Sequence, residues 1–91
     1  MSENEENKQE KEDLSLLEKS LKSRRILLSE DVNSKSAKKI IDRLFLLETE
    51  NPDKPIYFFI NSPGGEVNSG LAIYDVMEFI KCPVYTIGCG L

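Results

Sequence analysis

Ile56-Tyr57-Phe58-Phe59-Ile60 is apolar throughout, with none of the alternation that a half-exposed strand carries. Such a run suits a strand covered on both faces, the situation of a parallel sheet. Its flanks agree. Before it, Asn51-Pro52-Asp53-Lys54-Pro55 ends a helix in which Ala37, Ile40, Ile41, Leu44 and Leu47 recur at helical spacing, capped by Asn33 or Ser34. Phe45 and Leu46 break that pattern by adding apolar surface on the polar side. After the run, Asn61-Ser62-Pro63-Gly64-Gly65 turns the chain into a second helix over about 67–80, apolar on most sides and so expected to be largely buried. Lys81-Cys82-Pro83 stops it. Arg25-Ile26-Leu27-Leu28 and Val84-Tyr85-Thr86-Ile87 are the outer strands, and Ser29 to Asn33 is a polar connection. Strand, helix, strand, helix, strand predicts an α/β fold with a parallel sheet and right-handed crossover helices.

The net charge of −4 resides in residues 1–13, which hold six acids and two bases; the other residues hold ten of each. With no apolar residue after Met1, that segment is expected to be a disordered acidic tail. Leu14, Leu17 and Leu21 then predict a short amphipathic helix that docks on the body. The longest apolar runs are four or five residues, so no membrane partner is expected, and Lys22, Arg24 and Arg25 are too isolated to suggest nucleic acid. The start of the chain is acidic where a secretory signal would be apolar, and Cys82 and Cys89 form no C-x-x-C pair; a cytoplasmic location with reduced thiols follows as the expectation. Histidine is absent, which removes imidazole bases and His-ligated zinc from this stretch.

In open α/β sheets ligands bind beyond the carboxyl ends of the strands, where Gly64-Gly65 and Gly88-x-Gly90 lie. Backbone N–H groups there favour negative charge, whether a bound phosphate or a transient oxyanion. Gly65 and Gly70 have P-loop spacing, but Leu71 and Ala72 stand where Lys and Ser or Thr are required, and G-x-G-x-x-G is absent. A plain strand-to-helix turn explains the same glycines equally well.

The ordered combination of Asn61-Ser62-Pro63-Gly64-Gly65, Gly70-Leu71-Ala72-Ile73-Tyr74-Asp75 and Phe79-Ile80-Lys81 resembles the Clp protease proteolytic subunits, a serine peptidase family. The likeness reaches back through Leu44-Phe45-Leu46-Leu47-Glu48 to Arg25-Ile26-Leu27-Leu28, covers about residues 24–91 and fades in the tail. It implies that residues 14–91 are the N-terminal part of a peptidase domain, the first βαβαβ portion of a spiral fold shared with crotonases. It also implies a catalytic role for the Gly65 N–H in an oxyanion hole, with Gly64, Glu66 and Val67 along a bound peptide that pairs with the strand before the turn and the segment after it. Apolar pockets for a partner ATPase ring would fall to Phe45, Leu46, Tyr57, Phe59, Phe79 and Ile87. The implied assembly is heptameric rings stacked in pairs, fed unfolded polypeptide by a hexameric AAA+ unfoldase of the Clp type, with no metal or organic cofactor. The family's nucleophilic serine, histidine and aspartate are expected past Leu91. Ser34, Ser36, Ser62 and Ser69 have ordinary helix-start or turn roles, and Asp75 has no histidine to orient.

Two other readings share these letters. A non-catalytic ring subunit would use the fold only for assembly and ATPase docking. A crotonase-type CoA-ester enzyme would use the same paired-N–H logic, though Ile73-Tyr74-Asp75 and Phe79-Ile80-Lys81 favour the peptidase. The 91 residues alone are expected to lack cooperative stability, and Gly65→Ala is expected to cut turnover about 10²-fold while rings survive. With no histidine, the 91-residue chain by itself is expected to leave unfolded protein and fluorogenic peptides uncleaved; labelling by a serine-specific phosphonate would contradict this.

Overall fold

A computed structural model describes residues 3–89. The order is α1 (Glu3–Ser23), β1 (Arg25–Leu28), α2 (Ser34–Glu50), β2 (Ile56–Ile60), α3 (Val67–Phe79) and β3 (Val84–Gly88). All strand pairs are parallel, β2 lies between β1 and β3, and Tyr57 pairs with Arg25 on one side and Tyr85 on the other. The α/β class and the order of elements are as expected; β3 runs one residue further, through Gly88.

The acidic segment departs from expectation. Instead of a disordered tail over 1–13, α1 continues back to Glu3, with residues 7–16 exposed; Met1 and Ser2 lie outside the described residues. Glu, Gln and Lys are strong helix formers, and a helix already nucleated at its docked end propagates through them at little cost. Gln9 Nε2 donates to Asp13 Oδ1 at 3.0 Å, one turn apart. The predicted leucine stripe docks only in part. Leu21 packs against the core, Leu14 is exposed, and the Leu17 side chain lies outside the described part.

At the start of α2 the cap is Asn33. Its side chain accepts from the Lys35 and Ser36 N–H groups at 2.9 and 3.0 Å, and Ser36 Oγ accepts from the Asn33 N–H in return. Reciprocal capping of this kind satisfies donors that the first helical turn otherwise leaves open. Ser36 Oγ–H also donates to the Asp31 carbonyl at 2.7 Å, tying the polar connection to the helix.

α2 and α3 cover the same face of the sheet. Ile26, Leu28, Ile56 and Phe58 meet Ile40, Leu44 and Leu47 of α2 and Ile73 of α3 in one core. The other face carries Leu27, Phe59 and Ile87 in one row and Arg25, Tyr57 and Tyr85 in the next. Leu27, Tyr57 and Tyr85 are exposed there, and the two tyrosine rings stack at 5.8 Å. Among the described residues β2 is thus covered on one face only. α3 differs from expectation in the same way: Ile73 is its one buried residue, while Leu71, Tyr74 and Phe79 are exposed. Its apolar circumference has the sheet and α2 on one side and nothing among the described residues on the other.

Arg24, in the turn between α1 and β1, is 6% exposed and adopts φ 56°. Its guanidinium donates to four carbonyls: Pro55 O through Nε at 3.0 Å, Leu47 O through Nη1 at 3.2 Å, and Asn51 O and Lys54 O through Nη2 at 2.9 and 3.0 Å. Nη2 also lies 3.4 Å from Cys82 Sγ. The Arg24 carbonyl in turn accepts from the Tyr57 N–H at 2.9 Å. One cation therefore adds a donor to Leu47 O, which also accepts from the Asn51 N–H, and to Asn51 O at the end of α2, where the helix dipole favours positive charge. It also fixes the entry to β2 and touches the residue that leads into β3. Removing it takes the guanidinium donor from the Lys54 and Pro55 carbonyls and one of two donors from those of Leu47 and Asn51, and a hydrogen bond to a charged group contributes about 1.5–3 kcal/mol. Arg24→Ala is expected to destabilise the protein by about 3 kcal/mol or more, read as a lower urea midpoint at unchanged slope. A loss well below that would show that water replaces the guanidinium.

Candidate functional site

The turn after β2 is held on three sides. Inside it, the Gly64 N–H donates to Ser62 Oγ at 3.1 Å, a short side-chain turn of the kind serine forms. Across it, Val32 forms an isolated parallel bridge with Gly65: the Val32 N–H donates to Gly64 O, and the Glu66 N–H donates to Val32 O, both at 2.8 Å. Behind it, α3 begins at Val67 with Glu66 at its N-cap position. The bridge extends the β1–β2 pairing past the strand ends, from a residue that also lies next to the Asn33 cap of α2.

This arrangement decides where the backbone groups of Gly65 point. Peptide groups here are trans and planar, so C=O and N–H of one unit point oppositely. Gly64 O faces Val32, hence the Gly65 N–H faces away from it. Glu66 N–H faces Val32, hence the Gly65 C=O faces away too. Among the amides of Gly64, Gly65 and Glu66, that of Gly65 alone makes no hydrogen bond to a described residue. An exposed donor and acceptor thus stand side by side on one edge, the presentation an extended peptide can pair with.

Gly65 is also structurally required. Its φ is +150°, and a Cβ there would overlap the Val32 carbonyl oxygen and come within 2.9 Å of the Val32 N and C atoms. Gly64, at φ +105°, has open space around the corresponding position. To the expectation that Gly65→Ala lowers turnover while rings survive, the structure adds a local change, because the methyl group has to displace the bridge.

The residues expected along a peptide, Gly64, Gly65, Glu66 and Val67, are contiguous here, with Glu66 and Val67 exposed. The strand before the turn is not available for pairing, since β1 and β3 occupy both its edges; only the segment after the turn has a free side. Nearby, Asn61 donates its N–H to Leu28 O, while its Oδ1 is buried with no partner among the described residues. Of the second glycine segment, Gly88 ends β3 and the Cys89 N–H donates to Ile60 O at 2.8 Å; Gly90 lies outside the described residues.

The apolar positions separate into groups. Tyr57, Phe59 and Ile87 share the open sheet face, and Leu27 connects Phe59 to Leu46, with Phe45 beside Leu46 on the exposed side of α2. Phe79, 79% exposed, belongs to α3 on the opposite layer and does not join them within this chain. Arg25 and Arg43 border the same hollow as Leu27 and Phe59. Among the described residues no group of His, Cys, Asp or Glu could hold a metal, and no helix is long and apolar enough to cross a membrane.

Sequence reasoning missed Val32, whose two backbone hydrogen bonds aim the Gly65 amide, while Ser62 has the turn role expected of it. The one signal available was Val32 itself, a lone apolar residue in an otherwise polar connection.

The profile of the Clp protease family matches residues 7–91. The chain belongs to the Clp protease family. The match reaches further into the acidic segment than the sequence likeness over 24–91 suggested. Similar proteins include the ATP-dependent Clp protease proteolytic subunit 2 of Treponema denticola, 45% identical over 92 residues that span 97% of this chain and 46% of that protein. Another is the ATP-dependent Clp protease proteolytic subunit 2 of Treponema pallidum, 50% identical over 74 residues, 81% of this chain and 37% of that protein. The chain thus spans less than half the length of these Clp relatives.

Because the Gly65 bridge depends on a missing Cβ, Gly65→Ala is expected to accelerate hydrogen exchange at the Val32 and Glu66 amides by roughly tenfold or more, the equivalent of losing one bond. Unchanged protection at both amides would show that the turn accommodates the methyl group.

Proposed function

We propose that this chain is the N-terminal part of a Clp-type serine endopeptidase subunit, which hydrolyses unfolded polypeptides delivered by a partner ATPase. The observation that carries the reading is the Gly65 peptide: an N–H with no partner among the described residues, turned outward by two hydrogen bonds on its neighbours. A donor held this way before the reaction stabilises charge that develops on a scissile carbonyl oxygen, and such donors contribute about 2.7–4 kcal/mol in measured cases. The adjacent Gly65 C=O accepts an N–H of the same peptide, aligning it as an added strand.

In this reading Gly65 supplies half of an oxyanion hole, and Gly64, Glu66 and Val67 border the substrate. The nucleophile and its base come from residues beyond this stretch, and hydrolysis passes through an acyl-enzyme formed on a serine. The exposed apolar face with Tyr57, Phe59 and Ile87, together with Phe45 and Leu46, is where a Clp ATPase docks; Phe79 reaches such a surface only from a neighbouring subunit. Rings of subunits, stacked in pairs, supply that neighbour. The names of the Treponema relatives, which call them ATP-dependent proteolytic subunits, support the same assignment.

The protein purified as its gene encodes it, combined with a Clp-type ATPase and ATP, is expected to degrade an unfolded protein and to be labelled on one serine by a fluorophosphonate. ATP-independent binding of the ATPase with neither degradation nor labelling would favour the non-catalytic ring subunit instead.

A further inference from the structure

We infer that the Glu66 carboxylate selects peptides carrying a positively charged side chain beside the Gly65 edge. This rests on the peptidase reading of that edge and specifies which substrates it favours. Glu66 is the residue next to the outward-facing peptide group, and its own backbone is pinned by the N–H it donates to Val32 O at 2.8 Å. The side chain is held as well: Ser69 Oγ–H donates to Glu66 Oε2 at 2.9 Å from the first turn of α3. Although Glu66 occupies the N-cap position of α3, its side chain makes no capping hydrogen bond. The carboxylate remains exposed, and Glu66 forms no ion pair among the described residues.

Along its own stretch of chain the charge is of one sign, while the segment bridged to it around Val32 holds Glu30, Asp31 and Lys35. From residue 55 to residue 80 the chain contains Glu66, Asp75 and Glu78 and no lysine or arginine. A negative charge beside a donor meant for a developing oxyanion opposes that development. A lysine or arginine side chain on the bound peptide offsets it, whereas a glutamate adds to it. Because Glu66 is exposed, the pair is worth what surface ion pairs are worth, a preference of about two- to fivefold. That preference is expected to shrink at 1 M salt, where the screening length is about 3 Å.

The test uses the protein purified as its gene encodes it and three series of fluorogenic peptides, identical except for Arg, Gln or Glu at each position flanking the scissile bond. The wild type is expected to show higher kcat/KM for Arg than for Gln, and for Gln than for Glu, at one position at least. Glu66→Gln keeps an acceptor for Ser69 and is expected to level the three; Glu66→Lys is expected to reverse their order, an outcome that loss of structure cannot produce. Equal hydrolysis of all three by the wild type, or an unchanged preference in Glu66→Gln, overturns the assignment and leaves the peptidase reading standing. Hydrolysis of none of the peptides by the wild type overturns both.

Discussion

The Arg24 guanidinium is the joint on which the layers of this fold meet. It donates to the carbonyls of Leu47 and Asn51 at the end of α2 and to those of Lys54 and Pro55 on the approach to β2, and contacts Cys82 ahead of β3. No carboxylate takes part. The acceptors of the guanidinium are carbonyls set at different angles around one plane, and the planar fork of arginine reaches them together as lysine does not. The left-handed backbone at Arg24 is strained for a side-chain-bearing residue, by about 1–2 kcal/mol, and the carbonyl contacts outweigh it. With the amino ends of the three strands set in this way, the register of the sheet brings their carboxyl ends level, and the glycine turn emerges there.

At that opposite end a smaller device works by similar means. Val32 is one residue from the Asn33 cap, so the bridge to Gly65 ties the turn to the start of α2 as Arg24 ties the strands to its finish. Between these two points α2 contributes Ala37, Ile40, Leu44 and Leu47 to the core, a continuous stripe of buried contacts. The Gly65 amide is therefore positioned by hydrogen bonds to Val32, a residue adjoining the cap of a packed helix.

Much of this was legible in the letters because the strands and helices differ in period. The boundaries of β1 and β2 follow from their apolar runs, Pro55 and the glycine turn; the α2 cap narrows to Asn33 or Ser34 in the letters, and the reciprocal bonds with Ser36 decide for Asn33. The glycines of the site were legible as a motif, while the direction of the Gly65 N–H was not, since it depends on Val32 more than thirty residues earlier. Burial was the least legible property. Ile56 to Ile60 and the apolar circumference of α3 report how much covering those elements can use, and the covering found within the described residues is on one side only. Arg24 escaped notice for a related reason: a sequence shows a basic residue among others, Lys22 and Arg25, and nothing marks the one whose partners are distant carbonyls. Composition weighs the acidic segment by itself, whereas a helix continues from the end that is already docked, and α1 runs back to Glu3.

Parallel pairing has a kinetic consequence. Arg25 meets Tyr57 and Ile56 meets Val84, so each strand contact encloses an entire helix, and no hairpin can form early and wait for the rest. Loop closure has to precede the contacts that compensate for it, which places folds of this kind among the slower ones for their size. The Arg24 donors illustrate the delay: their acceptors come from the end of one crossover and, at Cys82, from the end of the next. Until both crossovers have closed, the guanidinium stays with water, and the exposed tyrosines and leucines of the unfinished sheet are available to other chains.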